Sequence, residues 1–213
     1  MKITLIVLLA FFSMLGYGQK HKIAELSDNR NQRESFSKIP QHDIRADLAS
    51  FTMGGVDESV GKGDISRIPF SSFGGDFMTF EGDGIKATIV TSDFNPAKHK
   101  LEYDEKYLVR IDRKPFYGAY GSMPKKNITQ VTMVIDKDSV SIPVAAYADL
   151  YNLKLTYKDK FGTERSTNGI YRSKDGHRVY LYLFCKDTTG SYEVTFVIQD
   201  KKYLRRVLDF GFM

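Results

Sequence analysis

The chain has 213 residues, 31 basic and 26 acidic side chains, a net charge of +5 and a single cysteine. One cysteine excludes an intramolecular disulfide and any cysteine-based zinc site. The positive excess is mild and spread along the chain, which argues against the concentrated basic face of a nucleic-acid-binding protein.

Met1-Lys2 gives a short positive start, Ile3 to Leu15 is an almost unbroken apolar run, and Gly16-Tyr17-Gly18 supplies small residues before Gln19. This is the layout of a secretory signal peptide over residues 1–18, of bacterial type. A run of about 13 residues is shorter than the roughly 20 that a membrane-spanning helix needs. No cysteine follows the run, so lipid attachment there is not available. The expected product is soluble, exported to the periplasm or the extracellular space, with no integral membrane segment after cleavage.

Gln19 to Ala46 is polar, charged and poor in apolar periodicity, which predicts an extended or disordered leader over 19–46. A short helix around Arg45 to Phe51 is a secondary expectation. A single folded domain is expected over 47–213. Met53 to Gly84 is punctuated by glycines, with short apolar pieces between them, and reads as short strands joined by tight turns. Ile85 to Thr91, Tyr107 to Ile111 and Ile128 to Ile135 read as further strands. Asp136-Lys137-Asp138-Ser139 reads as a hairpin turn into Val140 to Val144, with Pro143 favouring an edge position. Ala145 to Tyr151 is the one helical candidate in the body. Leu153 to Lys158 alternates as a strand.

From Asn168 onward the chain reads as a meander. Asp175-Gly176 is a dipeptide typical of two-residue hairpin turns. Arg178 to Cys185 is apolar on both faces, with Val179, Leu181, Leu183 and Cys185 on one and Tyr180, Tyr182 and Phe184 on the other. A strand of that kind belongs in the middle of a sheet, covered above and below. On the next strand Tyr192, Val194, Phe196 and Ile198 share one face, while Glu193, Thr195 and Gln199 take a more polar one. Tyr203 to Phe210 closes the meander, with Lys201-Lys202 and Arg205-Arg206 as a basic pattern suited to a solvated edge strand. The fold class is mostly β, an antiparallel sandwich with a barrel as the alternative and at most one or two short helices.

Catalytic vocabulary is sparse. The chain carries no nucleophile elbow, no zinc-binding His pair and no phosphate loop. No metal or cofactor is expected. His99 and His177 read as exposed loop residues and Cys185 as a buried hydrophobe. Asp149 lies in an apolar stretch, where a carboxylate needs a partner or has a raised pKa, and capping of a neighbouring turn explains it equally well. The clearest binding hint is Phe116, Tyr117 and Tyr120, aromatic residues between glycines, read either as an exposed contact platform or as plugs for one end of the core.

The leading functional expectation is a non-catalytic exported binding module for a glycan, a peptide or an envelope protein. A carboxylate-dependent glycan hydrolase is the alternative; it needs two acids in a cleft, one with a raised pKa. A structural or assembly subunit using an exposed edge strand is a further alternative.

Overall fold

A strand that is apolar on both faces needs cover on both, and the structure supplies it. The computed structural model describes residues 28–186 and 191–212. The expected signal peptide, the first part of the leader and the turn at 187–190 lie outside the described residues.

A 3-10 turn, Phe36–Lys38, leads into helix α1, His42–Leu48. The strands follow as β1 Ile65–Ile68, β2 Phe70–Phe73, β3 Phe77–Gly82, β4 Ile85–Asp93, β5 Leu101–Asp104, β6 Tyr107–Ile111 and β7 Lys126–Ile135. The remainder are β8 Asp138–Val140, β9 Tyr157–Lys158, β10 Glu164–Arg165, β11 Gly169–Ser173, β12 Arg178–Cys185, β13 Ser191–Gln199 and β14 Lys202–Phe212.

Two five-stranded antiparallel sheets form a sandwich. One has the order β1-β11-β12-β13-β14, the other β2-β3-β4-β7-β8. Alternation along each strand turns one apolar row inward. Val179, Leu181, Leu183 and Cys185 of β12 and Val194, Phe196 and Ile198 of β13 meet Met78, Phe80, Ile85 and Ile89 of the other sheet in one buried cluster. Two short ribbons, β5-β6 and β9-β10, sit outside the sheets. Among the described residues, no helix is long and apolar enough to cross a membrane.

β12 occupies the centre of its sheet, as its two apolar faces require. Its outer face is covered by residues 28–63, called the strap below. Phe36, Ile39, Ile44 and Leu48 pack on Tyr180, Val197 and Val207 in a second buried cluster. The described part of the expected leader is therefore packed rather than loose. Charges of the strap are answered by distant partners: Arg178 Nε donates to Asp47 at 2.9 Å and Arg206 Nε to Glu34 at 2.9 Å.

Other local expectations change for physical reasons. Between Ala145 and Tyr151 only a 3-10 turn, Val144–Ala146, forms, and Pro143 caps it rather than lying in a strand. Leu153 and Leu155 are buried but unpaired in any sheet, and only Tyr157–Lys158 is a strand. The β11–β12 connection runs over residues 174–177, so Asp175-Gly176 is not a two-residue turn. Two-residue turns with positive φ at both positions occur at Asp83-Gly84, Asp136-Lys137 and Asp200-Lys201. On β13 the more polar face is buried as well, including Glu193 and Thr195. Arg206 is not a solvated edge residue. It pairs with Phe196 across the sheet and donates to both Asp149 oxygens, at 2.6 and 2.8 Å.

Candidate functional site

Phe116, Tyr117 and Tyr120 are only 0%, 4% and 2% exposed, so the expected contact platform is core. Gly118 explains the inward turn of these rings. Its φ is +83°, and a Cβ there would lie 2.2 Å from the Tyr151 carbonyl oxygen. The chain therefore folds back closely against residues 149–151, with Tyr117 and Tyr151 exchanging backbone bonds with their neighbours across the contact. Phe116 and Tyr120 join Phe94, Leu108, Ile111 and Tyr151 in a third buried cluster, and Tyr117 enters the inter-sheet core. Burial beside Asp149 pushes the Tyr117 hydroxyl up to about 12. The Tyr120 hydroxyl accepts from the Asn29 N–H at 2.8 Å, and the Arg30 guanidinium lies over its ring.

The other sequence candidates are dispersed. Asp149 has its required partner in Arg206. Cys185 is fully buried, its thiol 3.2 Å from the Asn152 carbonyl oxygen. His99 stacks on Phe94 and pairs with Asp112 at 2.7 Å, while His177 pairs with Asp200 at 2.8 Å in a different place.

Glu193 is a carboxylate that strand alternation left on the polar face. It is 2% exposed, and burial, with Asp209 nearby, raises its pKa. It accepts from the N–H groups of Met53 and Gly54 at 2.8 and 2.6 Å and from the Tyr182 hydroxyl at 2.8 Å. Its oxygens are committed to holding the strap. Glu193 is thus enclosed and used structurally.

Among the described residues, one concave region lies at one end of the sandwich. Hairpins alternate ends, so the β11–β12, β13–β14 and β7–β8 turns converge there. Three adjoining depressions of about 170, 460 and 330 Å³ surround the turn between Ser173 and Arg178. The first opens between the sheets. Ile135, Val179 and Ile198 give it an apolar floor, and Asp136, Arg172, His177, Asp200 and Lys201 give it a polar rim.

The turn itself is braced. Ser173 Oγ donates to Asp175 Oδ1 at 2.5 Å and accepts from the Arg178 N–H at 3.0 Å, and Asp175 Oδ1 also accepts from the His177 N–H. The Asp175 carboxyl is held below its ordinary range by these bonds. The His177 imidazole is raised by its hydrogen bond to Asp200.

Most charges around the mouth are paired: Lys174 with Asp64, Lys201 with Asp136 and Asp138, and Arg178 with Asp43 and Asp47. Arg172 differs. Among the described residues it has no carboxylate partner, and its Nη1 donates to the Asp83 carbonyl oxygen at 3.0 Å. Its guanidinium lies over Gly176, where a Cβ would come within 3.2 Å of Nη2. Arg172 lines both the 170 and the 460 Å³ depressions.

Sequence reading named His177 and the Asp175-Gly176 turn but did not join them to Arg172, Asp64 or Asp200. The usable signal was the series of Asp-containing turns, which an antiparallel meander stacks at one end. No protein-family model, no curated protein and no solved structure matches the chain.

Proposed function

We propose that this chain is an exported, non-catalytic β-sandwich that binds a neutral, polyhydroxylated ligand, a glycan, at the mouth around Ser173–Arg178. Export rests on the sequence pattern of residues 1–18. The binding surface moves from the buried aromatic loop to the end of the sandwich. The observation that carries the reading is the Arg172 guanidinium, which has no carboxylate partner among the described residues and lines two adjoining depressions.

The lining groups include five carboxylates against four Lys and Arg side chains and His177. That near balance suits a neutral ligand better than a polyanion. Carboxylate and guanidinium pairs hydrogen-bond vicinal hydroxyls from both sides, and charged partners strengthen such bonds. The 460 Å³ depression falls within the roughly 300–1,000 Å³ typical of small-ligand sites.

The test is a glycan-array screen with labelled protein, followed by titration of any retained glycan. Arg172→Ala is expected to weaken binding about tenfold or more, as loss of a charged hydrogen bond implies. Circular dichroism should show an unchanged fold. Retention of no glycan, or binding that is indifferent to Arg172→Ala, would overturn the reading.

A further inference from the structure

The β9–β10 hairpin projects an aromatic side chain into solvent. Phe161 is 80% exposed. The turn that carries it is rigid. Asp159 Oδ1 accepts from the N–H groups of Phe161 and Thr163 at 2.9 and 3.0 Å, and Oδ2 accepts from Arg165 Nε at 3.0 Å. The Gly162 N–H donates to the Asp159 carbonyl at 2.9 Å, with Gly162 at φ +78°.

The root of the hairpin is equally fixed. Asn168, fully buried, donates through Nδ2 to the Lys154 and Leu155 carbonyls at 2.9 and 3.0 Å and accepts from the Phe184 N–H at 3.0 Å. Ser166 Oγ donates to the Leu155 carbonyl at 2.7 Å. The hairpin is thereby tied to the central strand β12, and its tip is presented without an ordering cost at the moment of contact.

Charge around the tip has one predominant sign. Lys154, Lys158, Lys160 and Arg165 are all exposed. Arg165 and Asp159 pair with each other inside the turn, which leaves Lys154, Lys158 and Lys160 against the one acid Glu164. Lys160 Nζ lies 4.9 Å from the centre of the Phe161 ring. A phenyl group beside lysine stems can enter an apolar boundary while the ammonium groups stay among headgroups. A protein-docking knob would instead be expected within a broader apolar patch that excludes water around it. Tyr157, 48% exposed, is the other large exposed apolar side chain of the ribbon.

We propose that the β9–β10 hairpin is a peripheral anchor that inserts Phe161 into the interface of a bilayer carrying anionic headgroups, with Lys158 and Lys160 at the phosphate level. This surface is separate from the mouth, and either can fail without the other.

The chain has no Trp, so a Phe161→Trp variant carries one local reporter. Its emission is expected to shift to the blue with vesicles of mixed phosphatidylglycerol and phosphatidylcholine, and to stay unchanged with phosphatidylcholine alone. Adding Lys160→Ala should raise the anionic lipid needed for half the shift about fivefold. In co-sedimentation, Phe161→Ala should bind anionic vesicles about tenfold less than the unsubstituted chain. No shift with anionic vesicles would overturn the proposal, and so would an equal shift with neutral ones. Sedimentation unaffected by Phe161→Ala would overturn it as well. Phe161 lies outside the core, so unchanged circular dichroism is expected and keeps these outcomes readable.

Discussion

Phe51 lies flat on Tyr171, with ring centroids 4.0 Å apart and planes within 9° of parallel. Tyr182 meets the same Phe51 ring edge-on at 5.7 Å. Such pairs contribute about 0.5–1.5 kcal/mol each beyond the area they bury. They join the strap to the outer face of β11 and β12, which makes the strap part of the folded unit.

Phe36 tests that coupling. It is 1% exposed within the cluster formed by the strap and the sheet. Phe36→Ala is expected to cost about 3–5 kcal/mol, the range for emptying a buried phenyl site. Urea denaturation followed by circular dichroism measures it. A single transition at lower urea is expected; an unchanged midpoint would show the strap to be independent of the sandwich.

Glu193 gives a pH dependence with a definite sign. Its folded pKa lies above the ordinary 4.5, chiefly through burial. In acid, both folded and unfolded chains hold the proton. As pH rises, the unfolded chain releases it first, so the stability contributed by this group falls until pH passes the raised folded value. Glu193→Gln cannot titrate. The difference in stability between the native chain and this variant should therefore decline from acid toward neutral pH, and a flat difference would refute the assignment. Glu193→Ala removes the acceptor for Met53, Gly54 and Tyr182 and should cost about 1–3 kcal/mol for each donor left without a partner.

The Arg206 side chain is 10% exposed and that of Asp149 is 15% exposed. Asp149→Ala leaves the guanidinium in place with Glu34 as its remaining carboxylate. A loss of about 3–5 kcal/mol is expected, as for other buried pairs broken on one side. Replacing both, Asp149→Leu with Arg206→Met, should recover much of that loss. Thermal unfolding of the single and double variants separates the two effects.

Cys185 offers a kinetic check on the core. Its thiol is fully buried between the sheets. A thiol reagent in excess is expected to label the native protein only as fast as the chain opens, and to label it at once in concentrated urea. Rapid native labelling would contradict the packing of β12 against β4 and its neighbours.

The two-sided apolar pattern of β12 was legible because it lies within one strand and needs no knowledge of its neighbours. Its cover was not. Phe36, Ile39, Ile44 and Leu48 are spaced too irregularly, across a 3-10 turn and a seven-residue helix, to make a periodic face. Glu34, one of the acids that made the leader look solvated, is neutralised by Arg206 from far along the chain, as Asp47 just after it is by Arg178.

The aromatic loop was ambiguous for a related reason. Exposed and buried rings between glycines look alike until the close approach of Gly118 to Tyr151 is known. At the mouth, Asp175, Gly176 and His177 were visible singly. Their meeting with Arg172 and Asp64 depends on strand order, which no local window contains.

The Phe36 N–H donates to the Asp209 carboxylate although 173 positions separate them. The Leu208 N–H likewise donates to the Glu34 carbonyl. A chain delivered amino end first must keep Phe36 and Ile39 without their native cover until Val207 arrives. Contacts of such long sequence separation slow folding and prolong the lifetime of sticky intermediates. Synthesis would thus run well ahead of compaction, leaving an uncompacted polypeptide for longer than a protein built from local contacts would.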